Sequence, residues 1–349
     1  MVDQEGIFIG VEHAQRSVHS ILRKSAGHLR WRSKEFSKTL AVRGVADVHR
    51  DRRRGLYLCS WQRSGSTWLA QMISSAPRTR LVYEPANVRQ GFYLDGEPRL
   101  VSLPFAGPGD NLGDDGRCLD RAMRGSLQTR WTNQLNVERL PLRRVVKDIR
   151  TVAVLPWIAD RFDDAPLVML VRHPLAVAHS IIELGWTLNS PTLDDPLVAA
   201  ADPHLTNRLR SEALVSEVTL WAAHHAWAMS HPAVAAVHVV FYEDLVARPA
   251  VELERLRHYL SSFHEVWQTW EPDQLSIARP SATAFRGRRT TPAAWVDTWS
   301  TSYDSETIDA VTRILAAYGL DPLYGASPNP LTTGEEALCA VRSRRERLD

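Results

Sequence analysis

The chain has 349 residues, with 42 Lys and Arg against 40 Asp and Glu and a net charge of +2. That length allows one large α/β domain or two small ones with a sizeable core, and the even balance singles out no polyanionic partner, so no nucleic acid is expected. Three cysteines without paired spacing, Cys59, Cys118 and Cys339, speak against a disulfide framework or a zinc site, and no run approaches the ~20 apolar residues of a membrane span.

Residues 1–54 hold "RSVHSILRKSAGHLRWRSKEFSK" and "HRDRRRG" and read as a basic helical extension. Such a segment is either a solvated face or a peripheral contact for a membrane surface or an acidic acceptor. The start of the chain carries no apolar signal segment, so a cytoplasmic location is expected. Residues 56–60 form a short apolar strand, and residues 67–75 the helix after it. "RLVYEP" is a second strand ending at Pro85. Residues 86–116 are rich in Gly, Pro and Asp and read as a long functional loop. "RCLDRAMRGSLQTRWTNQL" is expected to be helical, "RRVVKD" a strand, and "TVAVLPWIADRF" a helix with Pro156 near its start or kinking it.

"APLVMLVRHP" is the clearest buried strand, continuously apolar and β-branched. Helices are expected over "PLAVAHSIIELGW" and "TNRLRSEALVSEVTLWAAHHAWAMSH". A strand follows at "AVHVVFYEDL", then helices at "RPAVELERLRHYLSSF" and "SETIDAVTRILAAYGL". Residues 281–289 belong to a basic loop without periodicity, and residues 323–349 read as an irregular tail. Strands alternating with helices over residues 55–322 predict a three-layer α/β sandwich with a mainly parallel central sheet. Ligands of such sheets bind at the carboxyl ends of the strands. The loop at 62–67 and the turns at Glu84, Lys147 and Arg172 all fall there, which predicts one site.

The loop "QRSGST" joins a strand to a helix. Its backbone N–H groups from Ser64, Gly65, Ser66, Thr67 and Trp68 face outward at a helix start, where an anion is favoured. An ordinary helix capped by Ser66 or Thr67 is the other reading. The nucleotide-triphosphatase pattern GxxxxGK[ST] is absent, and "VMLVR" ends in Arg172 rather than a magnesium-holding Asp. The residues therefore suit an anion bound without a metal.

Four segments in order resemble sulfotransferases that use 3′-phosphoadenosine 5′-phosphosulfate (PAPS). "QRSGSTWL" is similar to that family's 5′-phosphosulfate loop. "LVRHPLAVAHS" is similar to its 3′-phosphate element, with Arg172 and Ser180 at the matching positions. "VVFYEDLVARP" resembles its Tyr-Glu-Asp-Leu segment, and "FRGRR" more loosely its late basic loop. The resemblance spans roughly residues 55–320 and lies closer to the carbohydrate and bacterial branch than to the cytosolic aryl branch. It implies a P-loop-like sulfotransferase fold and transfer of a sulfuryl group from PAPS, without a metal, to a hydroxyl of a carbohydrate, glycolipid or specialised metabolite. A P-loop kinase or nucleoside triphosphatase, or a non-catalytic nucleotide binder on the same fold, is the alternative.

By the same resemblance, Arg63 and Lys147 stabilise charge at the transferring group. Trp68 stacks on adenine or packs in the core, and Tyr242 contacts the base or is a core strand-end Tyr. Arg286, Gly287 and Arg288 hold the 3′-phosphate. The cytosolic branch has a His two residues after the strand-end Lys, where this chain has Ile149. Glu84 in "LVYEP", similar to the "FEP" of carbohydrate sulfotransferases, is then the expected general base, with Asp148 the runner-up. His224 and His225 are expected in core and rim, and His173 as a helix cap.

Overall fold

The structure, a computed structural model, describes residues 45–87, 93–94, 97–98, 103–185, 212–271, 296–297 and 299–348. Two compact units divide the chain, Met1–Val45 and Ala46–Asp349. Of the first only Val45 is described, so the architecture below is that of the second. Most of the basic extension and the loop carrying Arg286, Gly287 and Arg288 lie outside the described residues.

Among the described residues, five strands form the central sheet: β1 Gly55–Ser60, β2 Thr79–Tyr83, β5 Arg143–Asp148, β6 Leu167–Val171 and β7 His238–Phe241. Their order is β2-β5-β1-β6-β7, and every neighbouring pair is parallel. A separate antiparallel pair joins β3 Tyr93–Leu94 to β4 Glu97–Pro98. Except for His238, every residue of the five strands is buried, as a sheet covered on both faces requires. One core contains Tyr57, Cys59, Val146, Met169 and Phe241. The other contains Leu56, Leu58, Val145, Val168 and Val240. The two lists alternate along each strand because successive side chains point to opposite faces.

The helices are α1 Ser66–Ser74, α2 Gly113–Met123, α3 Leu155–Arg161, α4 Pro174–Glu183, α5 Glu212–Ser230, α6 Tyr242–Ala247, α7 Pro249–Ser261, α8 Ser305–Ala317 and α9 Ala337–Arg345. Several depart from the sequence reading. α6 takes residues 242–245, which were expected to extend the strand that ends at Phe241. α2 begins four residues earlier than expected and stops at Met123; Gly125 follows at φ 69°, and an added Cβ there would run into the Asp47 carboxylate. A 3₁₀ turn, Val152–Val154, precedes α3, which places Pro156 in the first turn, where its missing N–H costs nothing. The tail expected to be irregular contains α9, whose Ala337, Leu338 and Val341 join the first core.

At the amino ends of the strands, Arg80 on β2 and Arg144 on β5 are register partners, and both are fully buried. Asp47 holds them together. Its Oδ2 lies 3.1 Å from Arg80 Nη1 and 3.0 Å from Arg144 Nε, and its Oδ1 lies 2.7 Å from Arg144 Nη2. Arg80 also donates to Leu127 O at 2.6 Å and Arg144 to Met123 O at 2.7 Å. Removing one charge from a buried cluster leaves the others uncompensated. Asp47→Ala is expected to cost about 3–5 kcal/mol of stability in urea denaturation, and a loss below about 1 kcal/mol would show that water replaces the carboxylate freely.

Candidate functional site at the carboxyl edge of the sheet

Parallel register brings the strand ends level. Tyr83 pairs with Lys147, Lys147 with Leu58, Ser60 with Leu170, and Val171 with Phe241. The residues just beyond, Trp61, Glu84, Arg172 and Tyr242, therefore emerge along one edge.

The loop after β1 turns at Gly65, which has φ 87° and is the N-cap of α1. No side chain caps this helix, so Ser66 and Thr67 are not the caps that the sequence allowed. Trp68 N and Leu69 N both donate to Gly65 O, at 2.9 and 3.2 Å. The N–H groups of Gly65, Ser66 and Thr67 are thus left without a backbone partner, as at any helix start. An added Cβ at Gly65 would lie 2.5 Å from Tyr242 Cε2. Among the described residues, Ser60 Oγ, Gln62 Nε2 and Ser64 Oγ are buried here with no hydrogen-bond partner. Buried polar groups are normally paired, and a bound anion would supply the acceptors.

Two arginines flank this turn. Arg63, at φ 62°, donates from Nε to Ser180 Oγ at 3.0 Å. Arg172 donates from Nη1 to Arg63 O at 2.8 Å, and its guanidinium lies 4.4 Å from the Tyr242 ring centroid. The pKa of Arg63 is lowered, first by burial and then by the charge of Arg172. An anion placed between the two guanidiniums would relieve that repulsion. Ser180, expected to reach an anion with its own hydroxyl, accepts from Arg63 Nε and so also orients that guanidinium. Trp68 is 6% exposed and meets Tyr242 edge-on, with ring centroids 6.1 Å apart. Both rings belong to the second core.

Glu84 and Lys147 sit next along the edge. Lys147 Nζ lies 2.6 Å from Glu84 Oε1, and both residues are buried. Glu84 has φ 43°, a strained conformation for a residue with a Cβ. Its N–H donates to Lys147 O at 2.7 Å, and its carbonyl accepts from Trp131 Nε1 at 3.1 Å. Lys147 Nζ also lies 4.7 Å from the ring centroid of Tyr83. Burial, followed by the charge of Glu84, raises the Tyr83 pKa, so its hydroxyl stays protonated. Sequence reasoning did not single out Tyr83, although its place beside Glu84 in "LVYEP" was the available signal.

Asp148 points elsewhere, as its neighbouring strand position predicts. Its Oδ2 accepts from Ala86 N at 2.7 Å and its Oδ1 from Arg150 N at 2.9 Å. Burial raises its pKa to about 6. It braces the turn that carries Glu84. His173 caps α4 as expected, its Nδ1 accepting from Leu175 N at 3.2 Å. His224 and His225 donate from Nδ1 to Leu220 O and Trp221 O, each at 2.7 Å, and burial lowers their pKa values to about 4 and about 3. Both are therefore neutral at pH 7. Trp61 packs on His224 at 4.7 Å. Arg63, Ser64, Gly65, Ser66, Thr67, Trp68, Glu84, Lys147, Arg172, Ser180 and Tyr242 thus share one edge, with Trp68 and Tyr242 also serving as core.

A family model described as "Sulfotransferase family" matches residues 56–262, more than half of the chain. No curated protein matches. Among solved structures, a sulfotransferase domain from the curacin biosynthetic pathway is 19% identical, over 75% of this chain and 95% of its own, with a TM-score of 0.36. The sulfotransferase domain of the Synechococcus PCC 7002 olefin synthase is 18% identical, over 73% and 92%, with a TM-score of 0.39. Mouse sulfotransferase SULT7A1, complexed with PAP, is 14% identical, over 77% and 87%, with a TM-score of 0.35.

The contact between Gly65 and Tyr242 makes the loop testable without a ligand. Gly65→Ala forces a side chain into the left-handed region and against an aromatic ring, and about 1–3 kcal/mol of stability should be lost to backbone strain alone. An unchanged denaturation midpoint would mean that the loop and Tyr242 separate freely.

Proposed function

Because the chain belongs to the sulfotransferase family, we propose that it moves a sulfuryl group from PAPS to an acceptor hydroxyl. The observation that carries this reading is the convergence of Arg63 and Arg172 on the Gly65 turn, beside three uncommitted backbone amides. When bound, PAPS supplies the sulfuryl group and departs as adenosine 3′,5′-bisphosphate. The amides of residues 65–67 and the guanidinium of Arg63 hold the 5′ anion, and Arg172 holds the 3′-phosphate with its forked donors. Ser180 keeps Arg63 aimed. Arg286, Gly287 and Arg288 complete the 3′-phosphate site in this reading.

Lys147 stands at the end of β5 as the cation for charge developing at the transferring group. Its ion pair with Glu84 holds the buried ammonium in place. Glu84 accepts the proton of the acceptor hydroxyl. The hydrogen bonds of Asp148 favour Glu84 for this task, since both Asp148 oxygens already accept from backbone amides.

Calorimetric titration tests the donor. Adenosine 3′,5′-bisphosphate should bind without magnesium and ATP much more weakly; the reverse preference would return the chain to the kinase reading. Arg172→Ala should weaken the bisphosphate by about 1.5–3 kcal/mol, the worth of a charged hydrogen bond, and leave adenosine 5′-phosphate nearly unchanged. Equal losses for both would reassign Arg172 to holding the Arg63 carbonyl.

Glu84→Gln should lower sulfuryl transfer by about 10²–10⁴, the usual range for a lost general base, with nucleotide affinity retained. An Asp148→Asn variant that is dead beside an active Glu84→Gln would move the base to Asp148. Retained activity in both variants would remove carboxylate catalysis from the reading.

A further inference from the structure

β6 and β7 end level, with Val171 paired to Phe241. Each is followed by two polar residues, Arg172-His173 and Tyr242-Glu243. Arg172 and Tyr242 turn to one face of the sheet, and His173 and Glu243 to the other. On one side the Arg172 guanidinium lies over the Tyr242 ring at 4.4 Å. On the other, Glu243 Oε1 accepts from His173 N at 2.9 Å. The nucleotide reading uses only the first side.

The second side is closed by the tail. Tyr324, fully buried, donates its hydroxyl to Glu243 Oε2 at 2.9 Å. His173 Nε2 donates to the carbonyl of the next tail residue, Gly325, at 3.1 Å. Trp299 stacks on the His173 ring at 4.5 Å, and Tyr324 packs edge-on against the rings of His173 and Phe241. The tail is itself anchored: Leu331 N donates to Leu323 O at 2.9 Å, and Arg344 bridges to Asp321 at 2.9 Å.

We propose that Tyr324 and Glu243 form a clamp that positions Arg172 for the 3′-phosphate of the nucleotide. The inference rests on the reading of Arg172 as that phosphate's ligand. A carboxylate with one oxygen on the His173 amide and the other on the Tyr324 hydroxyl fixes the backbone immediately after Arg172. Burial raises the Glu243 pKa to about 7, so each donor matters in keeping the accepting form. Without the hydroxyl, one buried oxygen loses its partner and the His173 turn loses its brace. Tyr324 and Glu243 touch no substrate in this scheme; they are positioning residues acting through the backbone.

Tyr324→Phe keeps the ring and removes the donor. Binding of adenosine 3′,5′-bisphosphate should fall about tenfold while adenosine 5′-phosphate changes by less than about twofold. A purely structural role would lower both together and leave their ratio at the wild-type value, and that result would overturn the clamp. Should this variant not fold, judged by circular dichroism, His173→Asn keeps the helix cap, removes the Gly325 contact, and is expected to shift the ratio in the same direction; an unshifted ratio counts against the clamp equally. If wild type shows no preference for the 3′-phosphate, the functional reading itself has failed. Ligand-free crystal structures then decide the clamp separately: Arg172 displaced from the Tyr242 ring in Tyr324→Phe supports it, and Arg172 in place overturns it.

Discussion

Two like charges held together shape this site. Burial, and then the nearby charge of Arg172, disfavour the charged form of Arg63. Several contacts keep them there. Ser180 takes the Nε of Arg63, the Arg63 carbonyl takes an Nη of Arg172, and the Tyr242 ring lies under the Arg172 guanidinium. The turn between them adds amides that no backbone acceptor uses. Burying like charges beside unpaired amides is costly, and an anion seated there would offset that cost.

Beside this cationic cluster the protein keeps one buried ion pair, Lys147 with Glu84. It rests on a left-handed Glu84 whose turn is braced by the Asp148 carboxylate and the Trp131 indole. Strain of this kind persists only where the surroundings over-determine it. Asp148 and Glu84, two acids at the ends of adjacent strands, are thereby separated in task. One is consumed by backbone donors, and the other faces the Lys147 ammonium.

The sheet couples its two faces through single residues. Arg172 and Tyr242 face one core, and His173 and Glu243 the other. The tail segment at Tyr324, far along the chain, thus reaches the turn after Arg172 through the Glu243 carboxylate. At the opposite end of the strands the Asp47 cluster secures the start of the same sheet. Rigid support at both ends suits a site whose charged groups must hold their places against repulsion.

The local pattern of apolar runs and turns determined the strands, their parallel order of helices and strands, and the gathering of Arg63, Glu84, Lys147 and Arg172 at strand ends. Those features depend on residues close in sequence, where periodicity and register act directly. Tertiary structure decided what each side chain touches. Ser180 orients Arg63, Gly65 rather than Ser66 or Thr67 begins α1, Asp148 braces a turn, and the tail forms α9. Each outcome depends on a partner tens to more than a hundred residues away, or on which polar atom a packed neighbour leaves free. Spacing along one chain carries no information about such pairings, because burial and hydrogen bonding are settled only when the faces of the sheet are covered.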